Sequence, residues 1–421
     1  MGYAQTVDYL PRIVDQEVRE LLSSAGAVII DGPKACGKTE TARQHAASEI
    51  LLDIDPAAEE AVAIDPRILL EGATPRLLDE WQIYPTLWNH VRREVDSRGM
   101  PGQFILTGSA TPIDDTTRHS GAGRFARLQM RPMTLSELGR SSNAISLSDL
   151  FNSAQSRSPD TSVSLNDLID EIIRGGWPAQ RNHSPERASR LIGDYLDRIC
   201  RTDIASVDGV RRNPEQVAAV IRSLARNVAT QASLTSIASD ASGHGASVSD
   251  DTVGDYLSAL RRLMIVEDLP AWNTHLRSRH RLRTSPTRHF VDPSLAVAAL
   301  GATRSTLTAD LRTLGLLFES FVLRDLRVYA QSFGGQLFHY RDESGLEVDA
   351  IVDVGTSWGA FEVKLGAGQI DAAADNLSRF AERVDTSRRG EPAVLGVIIG
   401  TGYGFVRADG VHVIPIGALG P

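Results

Sequence analysis

A multidomain α/β fold is what these 421 residues predict: a parallel-sheet domain, a helical middle region and a second, C-terminal α/β domain. Three observations carry that expectation. The apolar run Ala27-Val28-Ile29-Ile30 leads into Gly32-Pro33-Lys34-Ala35-Cys36-Gly37-Lys38-Thr39 and then into a helical segment. Short apolar runs that end in acidic or polar residues recur as far as Thr107-Gly108-Ser109, as buried parallel strands do. Helical periodicity then dominates until a strand–turn–strand pattern rich in acidic residues appears at Glu347–Lys364.

The glycine stretch is the most specific of these. Glycines let backbone N–H groups close in on phosphate oxygens without a Cβ in the way. Strand, glycine loop and Lys-Thr opening a helix is the layout of P-loop nucleotidases. Gly32, Pro33, Lys34, Ala35, Cys36, Gly37, Lys38, Thr39 and Glu40 are the expected cradle. Lys38 would meet the outer phosphates and the Thr39 hydroxyl would ligate Mg²⁺. A thiol among phosphate-facing donors favours the thiolate, so Cys36 is expected to alkylate, and ATP to slow it; an inert, buried Cys36 is the alternative.

Composition sets outer limits. The length fits two or three domains. A formal net charge of −9 argues against a wholly basic nucleic-acid coat but not against a local basic patch. Two cysteines, Cys36 and Cys200, make a disulfide framework unexpected and point to a reducing cytoplasm. No apolar run approaches membrane-spanning length. Met1-Gly2-Tyr3-Ala4-Gln5 has neither a charged leader nor an apolar signal core. Secretion and membrane insertion are disfavoured.

Taken in order, Tyr9-Leu10-Pro11-Arg12-Ile13-Val14-Asp15 leads into a helix through Leu22, where Arg12 and Asp15 are expected to cap and pair on the helix, against the alternative that they approach the nucleotide base or ribose. Glu49–Asp55 reads as a second strand and Arg76-Leu77-Leu78 as a third, ending in Asp79-Glu80-Trp81-Gln82. Strand C-termini are where open α/β sheets bind ligands. Asp79 is expected to hold the Mg²⁺ shell, and Glu80, pointing the other way, to act as general base on a water. A helix over Pro85–Arg98 buries Leu87, Val91 and Val95. Gln103–Leu106 is a fourth strand; Thr107 or Ser109 after it is a candidate to bond the attacking water or γ-phosphate, or else a structural cap. Arg124 is the expected transition-state arginine, in cis or from a neighbouring subunit, against the alternative of a surface charge.

This ordered set resembles an AAA+-like ATPase. More narrowly, it resembles the prokaryotic family that pairs such an ATPase with a C-terminal domain of unknown function. Tyr9-Leu10-Pro11-Arg12, Arg131-Pro132-Met133 and Gly175-Gly176-Trp177-Pro178 also match that family's pattern. The resemblance covers nearly the whole chain. It implies ATP and Mg²⁺ as cofactors, and a helical lid beyond the sheet.

Ser141–Asp160 is serine-rich and reads as a loop or mobile linker. Gly175-Gly176-Trp177-Pro178 breaks the helices that follow, as a lid hinge or through packing of Trp177. Three helices between Glu215 and Leu260, then a strand through Leu269, predict a winged helix. Its third helix and wing carry Asp251, Asp255, Glu267 and Asp268 against Arg261 and Arg262. A groove-reading helix should be net basic, so domain docking is favoured over DNA. The nucleic-acid candidate is instead Arg277, Arg279, Arg281, Arg283 and Arg288, alternating on an extended segment, against the alternative of a solvated hairpin.

In the last third, Glu319 lies on a helix, Asp349 on one strand, and Glu362 and Lys364 on the next. Acid, then acid-x-Lys on a hairpin partner, resembles the PD-(D/E)xK nuclease core. Asp349, Glu362 and Glu319 would ligate a divalent metal and Lys364 would orient a water. A salt-bridged, inactive remnant would look identical. The expected domains are 1–140 (ATPase core), 141–212 (lid), 213–272 (winged helix) and 273–421 (nuclease-like). The expected function is Mg²⁺-dependent ATP hydrolysis coupled to the nuclease-like domain, with DNA, a protein partner or a second copy as further partners. The alternative is a slow nucleotide-gated switch or scaffold, of defence or toxin–antitoxin type, with that domain inactive.

Overall fold

The computed structural model describes residues 9–109, 121–161, 163–243, 248–272 and 285–421. The chain divides into two compact units. One is Met1–Pro132 with the short segments Val207–Gly209 and Arg262–Met264; the other holds the remainder.

The first unit runs α1 (Val14–Ser24), β1 (Ala27–Asp31), α2 (Lys38–Arg43), β2 (Ser48–Leu51), α3 (Pro56–Ile64), β3 (Arg76–Asp79), α4 (Leu87–Arg98), β4 (Phe104–Gly108) and β5 (Phe125–Gln129). Its five strands form a parallel sheet in the order β2-β3-β4-β1-β5. β1 is covered on both faces. Ala27 and Ile29 pack toward Leu87, Val91 and Val95 of α4, while Val28 and Ile30 meet Val14 and Val18 of α1. That two-sided burial is why the strand reads as an unbroken apolar run. Parallel strands also gather their C-terminal ends, Asp31, Asp79 and Gly108, on one edge. The helix α3, capped by the Asp55 side chain on Ala57 N, is an element the sequence reading did not anticipate.

The second unit begins with a correction. Within the expected linker Ser141–Asp160, β6 (Ile145–Ser146) and α5 (Leu147–Phe151) are ordered elements with Ile145, Leu147 and Leu150 buried. Its serines anchor rather than loosen: Ser146 caps α5, and Ser141 donates to the Leu419 carbonyl at 2.7 Å. The helical region follows: α6 (Leu165–Arg174), α7 (Pro185–Arg198), a π-turn at Ile199–Asp203 into α8 (Ile204–Ser206), then α9 (Pro214–Arg226), α10 (Leu234–Ser242) and α11 (Asp250–Arg262). Antiparallel bridges join Val266 to Phe290 and Leu269 to Thr287.

Beyond them lie α12 (Pro293–Leu300), α13 (Arg304–Ala309), α14 (Leu311–Gln331), β7 (Gln336–Arg341), β8 (Glu347–Asp353), β9 (Trp358–Lys364), α15 (Ile370–Ala381), α16 (Thr386–Arg389), β10 (Val394–Ile399), β11 (Phe405–Val406), β12 (His412–Pro415) and β13 (Leu419–Gly420). The sheet order is β11-β12-β10-β9-β8-β7, with β13 paired to β6 instead. β7-β8-β9 is antiparallel; β9, β10 and β12 are parallel.

The breaks in helical periodicity at Gly175-Gly176-Trp177-Pro178 serve packing. Gly176 N donates to Asp292 Oδ2 (2.9 Å), and Trp177 Nε1 donates to Ser294 Oγ (3.0 Å). A Cβ at Gly176 would lie 2.1 Å from the Met133 carbonyl oxygen. Among the described residues no helix is long and apolar enough to cross a membrane.

Two imidazoles are buried in this unit. His289 Nδ1 meets Ser320 Oγ (3.1 Å) and His339 Nδ1 meets Gln231 Nε2 (3.4 Å), while both Nε2 atoms lack a partner among the described residues. Burial depresses both, His339 to about 4. Their neutral forms stabilise the fold fully above the unfolded value near 6.5, and that contribution drains as pH falls toward the folded value. His339→Gln is expected to remove up to about 3 kcal/mol of this acid sensitivity, read as a smaller loss of melting temperature between pH 7.5 and pH ~4.5.

Candidate functional site

The loop after β1 has the backbone that its glycines predict. Gly37 takes φ +104°, a left-handed value that suits glycine. A Cβ at Gly32 would sit 2.4 Å from the Met130 carbonyl oxygen and 2.9 Å from Cys36 Sγ. Lys38 is buried, with Nζ on the Pro33 carbonyl (2.9 Å). Lys34 and Glu40 are exposed, and the Glu40 carboxylate pairs with Arg43 (2.6 Å) rather than turning to the loop. Cys36 departs from the reactive-thiol expectation. It is fully buried among Val28, Ile30 and Met130, with Sγ 3.9 Å from the Met130 carbonyl oxygen. Its side chain faces the core, and what it offers the loop is backbone.

The ends of β3 and β4 complete the site. Thr39 Oγ1 donates to both Asp79 oxygens (2.9 and 3.1 Å), and Thr107 Oγ1 donates to Asp79 Oδ1. Burial lifts the Asp79 carboxyl above its usual range, against the pull of the two hydroxyls. Thr107 therefore serves Asp79 directly. Glu80 has left the strand in a left-handed conformation, φ +54°, uncommon for a residue with a Cβ. Its Oε2 accepts from Gln82 Nε2 and from Ser109 Oγ (3.1 Å). Gln82 and Ser109 as partners of Glu80 were not foreseen; the signal was Gln82, two residues on. Asp31, at the end of β1, was also missed. Burial raises its carboxyl, opposed by Arg127 at 3.0 Å.

One donor set here fits a hard divalent ion: the Thr39 hydroxyl and an Asp79 carboxylate oxygen. Mg²⁺ takes one or two protein oxygens and fills its octahedron with phosphate and water. Arg124 is not brought to this edge. The Arg124 carbonyl accepts from Ala27 N at the start of β1, and its guanidinium pairs with Asp96 of α4 (2.7 Å). At about 3.3 Å per residue, the strand from Ala27 to Asp31 puts the two edges about 13 Å apart.

In the second unit, Asp349, Glu362 and Lys364 do come together. Lys364 Nζ lies 2.5 Å from Glu362 Oε2 and 3.1 Å from Asp349 Oδ2. The register of β8 against β7 shifts here: Ile351 faces Phe338, but Val348 faces Tyr340. The extra residue is a bulge at Asp349–Ala350, the kind of irregularity that re-aims a side chain. Asp349 Oδ2 accepts from Val363 N (2.8 Å), and Asn376 of α15, another residue the sequence reading missed, donates to Glu362 Oε1 (2.8 Å). Burial first, then the Asp349 charge, pushes Glu362 up to about 8 and holds Glu319 well above the carboxylate range. Burial alone would lower Lys364, but the two carboxylates outweigh it and raise it. Among the described residues no three His, Cys, Asp or Glu side chains are grouped to hold a metal. The cation bonded to Asp349 and Glu362 is Lys364 itself, so these residues do not fit a divalent ion as they stand.

The basic patch is corrected at one position. Arg288 is buried and bonded to Asp268 (2.7 Å), so it is no phosphate contact. Arg277, Arg279, Arg281 and Arg283 lie outside the described residues.

Comparison with known proteins bears on the first site. Residues 24–139 match the AAA domain family. Residues 165–306 and 314–419 match two domains of unknown function, DUF8612 and DUF4143. Two uncharacterized proteins, Rv2008c of Mycobacterium tuberculosis and Mb2031c of Mycobacterium bovis, are each 25% identical over 353 residues, spanning 82% of this chain and 72% of theirs. The Walker-type ATPase PABY2304 of Pyrococcus abyssi aligns over 69% of this chain and 96% of its own, at 14% identity and a TM-score of 0.41.

Thr107→Val would delete a hydroxyl that reaches Asp79. It is expected to weaken Mg²⁺-dependent nucleotide binding about tenfold and to leave metal-free binding unchanged, as titrations with and without Mg²⁺ would show.

Proposed function

We propose that this protein binds and hydrolyses ATP in its AAA domain and carries a nuclease-like C-terminal domain whose acidic centre is neutralised by its own lysine. The observation that carries the first part is the convergence of Thr39 and Thr107 on Asp79, with Glu80 next in sequence, beside the loop that holds Lys38. Loop N–H groups and Lys38 receive the β- and γ-phosphates. Thr39 and Asp79 would hold Mg²⁺, which would supply charge neutralisation for the phosphates. Glu80 takes the proton of the attacking water, and Ser109 and Gln82 set where its carboxylate lies. Arg124, set at the far edge, serves a neighbouring copy if it serves a phosphate at all.

Glu80→Gln is expected to keep ATP affinity within about twofold and to lose about 10²–10⁴ in turnover. Phosphate release and equilibrium binding on the same preparation check this. Unchanged release would remove Glu80 from the mechanism.

A second reading, the slow nucleotide-gated switch, is favoured by the hydrogen bonds that already occupy Glu80. Tight ATP retention with turnover at background in the wild-type chain would select it. In either case the three helices α9–α11 with the paired strands beyond them are read as a winged helix that docks protein.

For the C-terminal domain, the order α14-β7-β8-β9-α15-β10 with Asp349, Glu362 and Lys364 on adjacent strands supports the PD-(D/E)xK-like reading. Lys364 bonded to both carboxylates supports the inactive form. DNA incubated with the protein and Mg²⁺ or Mn²⁺, with or without ATP, is expected to stay intact. Cleavage that Glu362→Ala abolishes would replace this reading with an active nuclease.

A further inference from the structure

The segment ahead of α1 is built against the back of the phosphate loop. Arg12 is buried, and its guanidinium reaches two carbonyls: Nη1 donates to Cys36 O (2.9 Å) and Nη2 to Arg131 O (2.8 Å). Its own N–H donates to Asp15 Oδ2 (2.7 Å). Asp15 in turn accepts from the Tyr9 hydroxyl (2.8 Å) and lies 3.0 Å from His45 Nε2, and Tyr9 reaches Thr41 Oγ1 of α2 (3.2 Å). Tyr9, Arg12 and Asp15 thus strap the loop and the helix after it to the chain leaving β5.

The peptide that Arg12 holds matters most. In a trans peptide the C=O and the N–H point in opposite directions. The Cys36 carbonyl faces Arg12, on the core side, so the Gly37 N–H faces away from the core. Gly37, at φ +104°, is free of the Cβ that would resist a flip of this peptide. A flip would turn a donor away from an incoming anion and present a carbonyl oxygen to it.

We propose that Arg12 is a positioning residue for nucleotide, a two-armed clamp that locks the Cys36–Gly37 peptide in its anion-receiving orientation before ligand arrives. The proposal rests on reading the loop as a phosphate cradle. Without the clamp only a fraction of molecules hold a competent loop, and the apparent dissociation constant rises by the inverse of that fraction. Chemistry after binding is unaffected, because bound phosphate itself selects the competent loop.

The test uses the full-length chain. Arg12→Ala is expected to raise the dissociation constant for MgATP about 10- to 100-fold and to leave turnover at saturating ATP within about twofold. Arg12→Lys keeps the charge but reaches one carbonyl, so it should fall between. Asp15→Asn, which keeps the guanidinium and weakens the hydrogen bond that holds the Arg12 backbone N–H, should act in the same direction and more weakly. The second readout is iodoacetamide labelling of Cys36, followed by peptide mass with Cys200 as internal reference. Buried Cys36 should label slowly in the wild type, at least about tenfold faster in Arg12→Ala, and slowly again in that variant under saturating MgATP.

Unchanged affinity and unchanged Cys36 labelling in Arg12→Ala would overturn the clamp, as would a loss confined to turnover. If Arg12→Ala fails to fold, Arg12→Lys and Asp15→Asn decide by the same two readouts. A wild-type chain that binds no triphosphate would sink the nucleotide reading, and labelling without ATP would still judge the clamp by itself.

Discussion

Asp79 ends β3 with its carboxylate inside the first unit, where the hydroxyls of Thr39 and Thr107 reach it. A buried carboxylate without donors is costly, and each hydrogen bond to a charged group returns about 1.5–3 kcal/mol. The donors come from α2 and from β4, so one carboxylate ties together three segments that are distant in the chain. The tie holds only if β3 and β4 run parallel and in register, Asp79 beside Thr107. Loop placement and the convergence of the Thr39 and Thr107 hydroxyls on Asp79 then follow from one constraint.

The second unit solves a related problem with charge. Arg324 is fully buried between Asp292 (2.9 Å) and Asp325 (2.7 Å). Two carboxylates against one guanidinium leave an excess negative charge, and backbone and side-chain donors share it: Gly176 N and Ser294 on Asp292, Leu135 N on Asp325. A buried pair is seldom worth much against an apolar substitute, but losing one partner is severe. That asymmetry gives a physical account of the Gly175-Gly176-Trp177-Pro178 stretch. Gly176 must come close enough to Asp292 to donate, and it has no room for a side chain against Met133.

What the sequence made legible was what depends on local period and spacing. Strand, glycine loop and Lys-Thr sit where expected, and so do Asp79, the β8–β9 hairpin and the alternation that puts Glu362 and Lys364 on one face. What it hid depends on register between distant strands. Arg124 looks adjacent to the phosphate edge in a glycine-opened segment, but β5 is parallel to β1, so its first residues lie at the opposite end. Arg288 looks like one more charge in a basic run until Asp268 arrives from the neighbouring strand. Ser141–Asp160 looks like a linker because serine favours turns; its partner is the end of the chain, β13. Glu80 was expected to continue the strand, and nothing local announces its left-handed backbone.

The acidic cluster of the second unit shows why a motif alone cannot assign chemistry. Glu319, Asp349, Glu362 and Lys364 would carry an excess of negative charge if all were ionised, in a setting that penalises charge. Burial moves Glu319 and Glu362 toward their neutral forms, leaving the Lys364 ammonium facing less negative charge than the residue count implies. Neutral acids hydrogen-bond well but are weak metal ligands, since ligation needs the deprotonated form. A divalent ion would have to displace Lys364 from Asp349 and Glu362. The free energy for that must come from coordination, and among the described residues no three acidic side chains are grouped to give it. The same four residues can therefore mark a metal nuclease or a closed, self-neutralised core.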